Sequence, residues 1–208
     1  KKINIKIFST PFDENAVDFL EKLKCPFYKV ASFENTHFPL LKRIANTGKP
    51  MIISLGLLKL PEIKEIVKFV KNNGCKKLIL LKCTSTYPAN PKDLNLKTID
   101  DLRNKFNCEV GFSDHSIGIG AAITSISCGA TVIEKHVTLR RKDNDIDSKF
   151  SLEPSELKTL KEESVTAWRS IGKINYDYTK NEKRFLKYKR SIYVSKDIKK
   201  GEKFSRDN

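Results

Sequence analysis

Histidine is scarce in this sequence, and several common signatures are missing. Only 3 of the 208 residues are histidines. The 5 cysteines include no CxxC pair, which argues against a zinc ribbon and favours free thiols in a reducing cytoplasm. No G-x-G-x-x-G motif follows a predicted strand, and no apolar run approaches the ~20 residues of a membrane span. We expect no signal peptide, because the first residues lead directly into a strand pattern.

Positive charge is abundant but evenly distributed. Lysine and arginine number 40 against 25 acidic residues, so the formal net charge is +15. The lysines are spread over the predicted helices, and no basic motif with interleaved aromatic residues occurs. This pattern predicts a solvated basic surface that favours small anionic substrates, with neither nucleic acid nor a membrane as partner.

Apolar, β-branched runs alternate with segments of helical periodicity. The predicted strands are residues 5–10, 27–32, 50–56, 77–83, 109–114 and 131–138. The predicted helices are residues 13–24, 38–48, 60–74, 96–106, 117–130 and 153–172. Such alternation predicts a parallel sheet, closed either as a doubly wound sheet or as a (β/α)8 TIM barrel.

The ends of the predicted strands favour the barrel. Each of the six runs ends in polar or ionisable residues, and in a barrel all strand ends face one mouth. We therefore predict the last six βα units of a TIM barrel over residues 1–172. The polar stretch 173–189 reads as a linker, and residues 190–208 resemble a hairpin that opens a second, small β-domain.

Two of the three histidines, His115 and His136, end neighbouring predicted strands. A lone histidine is usually structural, but a pair at the ends of adjacent parallel strands can converge on one metal ion. Asp114 and Glu134 precede them as candidate metal-shell or acid–base partners, and His37 lies in a loop.

Lysines and hydroxyls form a second group of strand-end residues. Lys29 and Lys82 are candidates for anion binding or for Schiff-base chemistry, whereas strand alternation predicts that Lys135 faces the helices. Hydroxyls also end the predicted strands, at Thr10, Ser32, Ser54, Ser85 and Ser113. Each of these hydroxyls can simply cap a helix, but the ring as a whole favours anion binding.

An ordered series of short motifs resembles the sialic acid synthase family, whose members make nonulosonic acids. The motifs are "STPFD", "YKVASFEN", "LLKCTSTYP", "VGFSDHSIGIG", "GATVIEKHVTL", "SLEPSE" and "RSIYVSKDIKKGE". The resemblance implies a (β/α)8 barrel followed by an antifreeze-like (SAF) domain. It also implies that the chain lacks the first two barrel strands and most of the SAF domain. The implied reaction condenses phosphoenolpyruvate with an N-acylated sugar aldehyde and releases phosphate.

The resemblance also implies roles for individual residues. His115 and His136 match the family's two metal ligands, usually for Mn²⁺, with Mg²⁺ or Co²⁺ as alternatives. The positions that match phosphoenolpyruvate contacts are Thr10, Lys29, Ser32, Ser54, Ser113 and, where some members have Asn, Ser85. Glu34 and Tyr87 match the sugar side, Asp147 matches an acid before "SLEP", and Glu134 completes the predicted substrate-binding set. A domain-swapped homodimer is implied for the full-length protein.

Two segments favour the family's pseudaminic acid synthase branch. "KVASFE" and "DSKFSLEP" look more like that branch, and the loop "DNDIDSKFSLEP" lacks the histidine of the N-acetylneuraminate type, which is the alternative. Leu55, in "SLG", removes one hydroxyl from the phosphate side. Two rival functions stay open. One is a metal-free class I aldolase that uses Lys29 or Lys82, and the other is a polyanion-binding module without enzymatic activity.

Overall fold

The computed structural model describes residues 5–143 and 146–208, and the chain divides into two compact units, Lys1–Gly172 and Lys173–Asn208. The first unit contains one parallel sheet. Its strands are β1 (Tyr28–Val30), β2 (Met51–Ser54), β3 (Leu78–Cys83), β4 (Glu109–Asp114) and β5 (Ile133–Lys135). They lie side by side in chain order, as consecutive βα units of a barrel do.

Helices follow the strands, and the sequence predicted them well. They are α1 (Glu14–Lys22), α2 (Phe38–Ala45), α3 (Leu60–Asn72), α4 (Thr98–Phe106), α5 (Gly120–Ser127) and α6 (Pro154–Ile171). Asp13 caps α1 by accepting a 2.7 Å hydrogen bond from the Ala16 N–H. Gly74 and Gly129 take positive φ just after α3 and α5, where a side chain would be strained. Over the described residues, no helix combines the length and apolar character that a membrane span requires.

Alternation along the strands gives the sheet two different faces. One face packs against the helices through apolar residues, among them Val30, Ile53, Leu80, Val110 and Phe112. The opposite face carries Lys29, Ser54, Cys83, Ser113 and Glu134. Lys29 on β1 and Glu134 on β5 form an ion pair with a 3.4 Å Nζ–Oε2 distance, although three strands lie between them in the sheet. The sheet is therefore curled, and this second face is its concave side.

The predicted strand 109–114 is confirmed with its bounds, the other four confirmed strands were predicted too long, and one prediction was wrong. Six strands were predicted, but within the described residues the segment 5–10 forms only an isolated parallel bridge between Ser9 and Tyr28. Ile5 and Ile7 stay exposed, because this segment has a neighbour on one side only and no ladder forms to bury it. The alternating pattern therefore indicated a strand whose pairing the chain does not complete.

The second unit, residues 173–208, is built differently. The predicted linker contains a 3₁₀-helix, Glu182–Tyr188, in which Phe185 and Tyr188 bring their ring centroids to 6.2 Å. Residues 190–208 contain no strand, so the predicted hairpin is absent, and a single backbone bond joins the Ser195 N–H to the Asn208 carbonyl. Ile192, Tyr193 and Phe204 are exposed, so no apolar core holds two strands together here. The start of an SAF domain stays a prediction.

A buried ion pair ties β4 and β5 to the loop before α5. Lys135 Nζ lies 2.9 Å from Asp114 Oδ2, and both side chains are almost completely buried. The other oxygen of Asp114 accepts hydrogen bonds from the Ser116 N–H and hydroxyl, at 2.8 and 2.7 Å. Lys135 faces away from Glu134, as strand alternation predicted.

The Lys135→Met variant should destabilise the protein strongly. The substitution leaves the Asp114 carboxylate buried without its cation, which typically costs about 3–5 kcal/mol. Urea denaturation of the complete gene product measures the free energy of unfolding. The control is Asp101→Ala, which removes the exposed ion pair with Lys105 and should cost less than about 1 kcal/mol. Equal midpoints for the two variants would contradict this assignment.

A second network predicts acid sensitivity. Tyr28 and Lys49 both donate to the Glu21 carboxylate, Lys49 at 2.6 Å. Burial alone would raise the pKa of Glu21, but these hydrogen bonds outweigh burial and lower it. A lowered pKa stabilises the fold above the ordinary pKa of glutamate, about 4.3, and this stabilisation is lost as pH falls through the lower folded-state value.

The Glu21→Gln variant should therefore lose about 1 kcal/mol of stability at pH 7 and none near pH 3. Unfolding free energies of variant and wild type, measured across this pH range, test the prediction. Glu14, half-buried in the first turn of the same helix, provides the control variant Glu14→Gln, for which a small difference is expected at pH 7. A Glu21→Gln difference that does not shrink with acid would rule out the proposed cause.

Candidate functional site

The concave face ends in a polar mouth at the carboxyl-terminal edge of the sheet. The order and direction of the strands bring together side chains that are distant in sequence. Those that follow or end β1 to β5 include Lys29, Ser32, Ser54, Cys83, Ser113, His115, Glu134 and His136. We call this set, together with the loop residues that contact it, the mouth. The predicted convergence of strand-end residues is what the structure shows.

A lysine and a glutamate occupy the centre of the mouth. Lys29 is only 5% exposed, and its ammonium donates to the Val30 carbonyl at 3.2 Å as well as pairing with Glu134. The other Glu134 oxygen accepts a 2.7 Å hydrogen bond from the Ser113 hydroxyl. Three strands thus contribute to one charged cluster, which can bind an anion at Lys29 and hold a proton at Glu134.

Two buried oxygens near this cluster have no hydrogen-bond partner within the described chain. They are Oγ of Ser54 and Oε2 of Glu34. The Ser54 carbonyl is engaged, because the Asn35 side chain donates to it at 3.1 Å and to the Gly56 carbonyl at 3.0 Å. An unsatisfied buried oxygen is unfavourable in the free protein and points to a ligand that completes its bonding.

The remaining predicted hydroxyls lie at the rim or against the cysteine of β3. The Ser32 hydroxyl accepts from the Gly56 N–H at 3.2 Å and donates to the Cys83 sulfur at 3.4 Å. Ser85 Oγ lies 3.7 Å from the same sulfur. Thr10 is half-buried and follows Ser9, whose carbonyl accepts from the Lys29 N–H at 3.4 Å. Ser32 and Ser85 therefore lie together at the end of β3, whereas Thr10 follows a segment that forms no strand.

The two histidines face each other across the mouth. Their ring centroids are 5.3 Å apart, and His115 is buried whereas His136 is half-buried. His115 Nδ1 lies 3.1 Å from the Thr84 carbonyl, and His136 Nδ1 lies 3.4 Å from the Asp147 carboxylate. These oxygens favour a proton on Nδ1, which leaves Nε2 of each ring as a free lone pair.

The protonation of the two rings differs because their surroundings differ. Burial lowers the pKa of His115, but contacts with Cys83 and the Thr84 carbonyl outweigh burial and raise it. Burial and the neighbouring His115 together lower the pKa of His136. Burial would also raise the pKa of Cys83, yet hydrogen bonds with His115, Ser32 and Ser85 bring it down to about 7.

Aromatic side chains line the histidines. Tyr87 packs on the His115 ring at 4.3 Å between centroids, and Phe150 packs on the His136 ring at 5.0 Å. Phe150 is buried and was not predicted, because nothing in its sequence position separates it from an ordinary core residue. It belongs to the histidine-free loop 143–154, of which residues 144 and 145 lie outside the described residues.

Three residues discussed from the sequence have other surroundings. Asp114 faces the helices and is saturated by Lys135 and Ser116, so it does not serve the mouth. Lys82 donates to the Cys83 carbonyl and to the Thr84 hydroxyl, at 3.1 and 3.3 Å. His37 caps α2 by accepting from the Leu40 N–H at 3.2 Å, which is a structural role.

Fold and mouth together define a class: an α/β-barrel protein with anion-binding and imidazole groups at the carboxyl-terminal strand ends. The family described as the NeuB family matches residues 1–176, and the chain belongs to it. The resemblance to the sialic acid synthases is confirmed.

Relatives and solved structures agree with this family. The chain is 40% identical to "N,N'-diacetyllegionaminic acid synthase" of Campylobacter jejuni, over 100% of this chain and 63% of the relative. It is 41% identical to "Pseudaminic acid synthase" of the same species, over 98% and 60%. The crystal structure of an N-acetylneuraminic acid synthetase from Leptospira borgpetersenii has a TM-score of 0.82 at 34% identity, covering 89% of this chain and 65% of that one. The chain spans about three fifths of the length of these curated relatives.

The unsatisfied hydroxyl of Ser54 gives a test of anion binding. Ser54→Ala should leave the urea midpoint unchanged or higher, because the hydroxyl has no partner in the free chain. If the mouth binds phosphoenolpyruvate, as the family resemblance implies, the same variant should bind it about tenfold more weakly by calorimetry, since a hydrogen bond to an anion is lost. Ser125→Ala is the matched control, because this buried hydroxyl bonds to the Ala122 carbonyl within α5. Wild-type affinity in Ser54→Ala would exclude the hydroxyl from the binding site.

Proposed function

We propose that this protein condenses phosphoenolpyruvate with an N-acylated sugar aldehyde and releases phosphate, forming a nonulosonic acid. Membership of the NeuB family supports the reaction class, and the names of the curated relatives agree with it. The observation that carries the proposal is the mouth itself. One cavity edge combines the buried Lys29 ammonium, the unsatisfied Ser54 hydroxyl and two imidazoles that face each other.

The imidazole pair suits a divalent metal, for which we propose Mn²⁺, with Mg²⁺ or Co²⁺ as alternatives. Both rings have Nδ1 beside an oxygen, which prepares both Nε2 atoms as ligands. No group of three metal-binding side chains exists among residues 5–143 and 146–208. His115 and His136 would therefore hold the ion and leave positions open for other oxygen ligands. When bound, the ion supplies Lewis-acid polarisation of the sugar's carbonyl oxygen.

The residues of the mouth then divide the work of binding. Lys29 and the hydroxyls of Ser54, Ser32 and Ser85 would hold the phosphate and carboxylate of phosphoenolpyruvate. Glu34, with its unsatisfied carboxylate oxygen, would accept a hydrogen bond from the sugar, against the aromatic wall of Tyr87. Thr10 and Asp147 complete the rim.

The chemistry follows from this placement. The methylene carbon of phosphoenolpyruvate forms a bond to the aldehyde carbon, whose oxygen takes up a proton. Water then adds to the carbon that bears the phosphate, and one proton leaves. The bond between this carbon and the phosphate oxygen breaks, the new hydroxyl becomes the keto group, and its proton goes to the departing inorganic phosphate. Glu134, shared between Lys29 and Ser113, is the carboxylate placed to receive the proton that the water loses. Holding both reactants in one mouth supplies much of the rate acceleration.

The sugar is the least defined part of the proposal. We propose the 2,4-diacetamido-2,4,6-trideoxy hexose that leads to pseudaminic acid, on the basis of the segments "KVASFE" and "DSKFSLEP" and the histidine-free loop. Sequence identity does not separate this choice from a legionaminic-type product, because the two named relatives are 41% and 40% identical. N-acetylmannosamine, leading to N-acetylneuraminate, is the alternative.

Two further proposals concern the setting of the reaction. All five cysteines are free, which supports a reducing cytoplasm. We also retain a domain-swapped homodimer, completed by an SAF domain, as a proposal for the complete gene product.

A class I aldolase is the remaining rival. It needs a neutral lysine at the reacting carbon, and burial does lower the pKa of Lys82. However, Lys82 donates to the Cys83 carbonyl and the Thr84 hydroxyl and is not among the residues that converge on the mouth, whereas Lys29 is paired with Glu134. These contacts favour the phosphoenolpyruvate reaction.

Phosphate release by the complete gene product tests the proposal. The protein should turn over phosphoenolpyruvate with Mn²⁺ and the trideoxy sugar, and chelation of the metal should stop it. His115→Ala and His136→Ala should each lose activity at least a hundredfold, because each variant leaves only one imidazole to hold the metal ion. His37→Ala is the matched control, since His37 caps α2, and should keep most of its activity.

Each outcome separates the alternatives. Turnover with N-acetylmannosamine alone would keep the reaction and replace the sugar. Loss of activity on borohydride treatment in the presence of substrate, with no effect of a chelator, would establish the aldolase. Near-normal rates in both histidine variants would refute the metal site.

A further inference from the structure

Cys83 is the one mouth residue of β3 that the proposed reaction does not use. It ends β3, is buried, and pairs in register with Ser113 on β4. Its sulfur lies 3.4 Å from Ser32 Oγ, 3.7 Å from Ser85 Oγ and 3.9 Å from His115 Nδ1. Residues from three strand ends therefore meet at one thiol.

The size of sulfur explains why a cysteine stands at this position. Its three neighbours lie 3.4–3.9 Å away, which is contact distance for sulfur. A hydroxyl oxygen forms good hydrogen bonds only at about 2.8 Å, so a serine here would draw its partners inward or lose them.

The hydroxyls of Ser32 and Ser85 both lie close to the backbone of Gly56. A Cβ atom built on Gly56 would overlap Ser85 Oγ and would lie 2.6 Å from Ser32 Oγ. The Ser32 oxygen already accepts a hydrogen bond from the Gly56 N–H. The direction of the Ser32 hydroxyl proton is then set by a second neighbour. In the free protein that proton points to Cys83.

We propose that Cys83 is a positioning residue that orients Ser32 and Ser85 for the anion of the substrate. In the free protein the Ser32 hydroxyl donates a hydrogen bond to the Cys83 sulfur. When phosphoenolpyruvate binds, the same hydroxyl donates to the anion instead. No covalent bond to Cys83 forms. This inference rests on the proposed function, because it takes the anion to be phosphoenolpyruvate.

Cys83→Ser in the complete gene product tests the inference. A serine hydroxyl forms good hydrogen bonds only at about 2.8 Å and would draw the Ser32 hydroxyl out of place or lose it, so phosphoenolpyruvate should bind about tenfold more weakly by calorimetry. In kinetics the KM for phosphoenolpyruvate should rise by a similar factor, while the KM for the sugar stays within twofold. Cys75→Ser is the matched control: Cys75 is equally buried but precedes β3 and bonds to the Lys77 carbonyl.

A double-mutant cycle separates positioning from general damage. If Cys83 acts through Ser32, Cys83→Ser should add little to the binding defect of Ser32→Ala. Should Cys83→Ser prove unstable, Cys83→Ala serves in the same cycle, because it removes the sulfur that directs the Ser32 proton. Additive effects of the two substitutions, or unchanged phosphoenolpyruvate affinity in a folded Cys83 variant, would overturn the inference.

The wild-type measurement distinguishes this inference from the proposed function. Wild-type protein that binds phosphoenolpyruvate while the Cys83 variants match it refutes the positioning role alone. Wild-type protein that neither binds phosphoenolpyruvate nor releases phosphate overturns both.

Discussion

The ion pair between Lys29 and Glu134 is the interaction on which the mouth depends. It joins strands at opposite edges of the five-stranded sheet, so it forms only because the sheet curls far enough to bring those edges together. Its second oxygen binds Ser113, which extends the link to β4. The curvature of the sheet therefore determines both the Lys29–Glu134 ion pair and the placement of the Ser113 hydroxyl. The Lys29 side chain is buried, whereas that of Glu134 is partly exposed. Removing the Glu134 carboxylate would therefore leave the Lys29 ammonium in the interior without its partner.

Much of the fold followed from two periodicities in the sequence. Continuous apolar runs such as "LILLKC" predicted buried strands, and the amphipathic segments between them predicted the helices within a few residues. The first run failed because alternation indicates a tendency to pair, whereas a ladder also needs a neighbour, and Ser9 has only Tyr28. The predicted hairpin after residue 190 failed for a similar reason, since nothing in that unit buries its apolar side chains.

The candidate site was predictable to the extent that strand direction fixes it. Parallel strands place their ends at one edge, and closure of the sheet as a barrel brings β1 near β5, so the barrel prediction placed Lys29, His115 and His136 at one mouth. What lay beyond prediction were properties that depend on which face a side chain takes. Asp114 adjoins His115 in sequence but points to Lys135, and Cys83 looks like any core cysteine until its three polar neighbours are placed around it. The roles of these residues in binding and catalysis remain predictions.

The division of labour between the two faces of β4 and β5 has a consequence for how such a protein can diversify. Asp114 and Lys135 secure the strands from the helix side, whereas Ser113, Glu134 and His136 face the mouth from the same two strands. The Asp114–Lys135 ion pair is not disturbed directly by a change at Ser113, at His136 or in the loop around Phe150, because it lies on the other side of the strands. Under the proposed function, a change of sugar would involve the inner residues and leave the outer ion pair in place. Because successive side chains of a β-strand point to opposite faces, substrate-facing and stabilising residues can change separately.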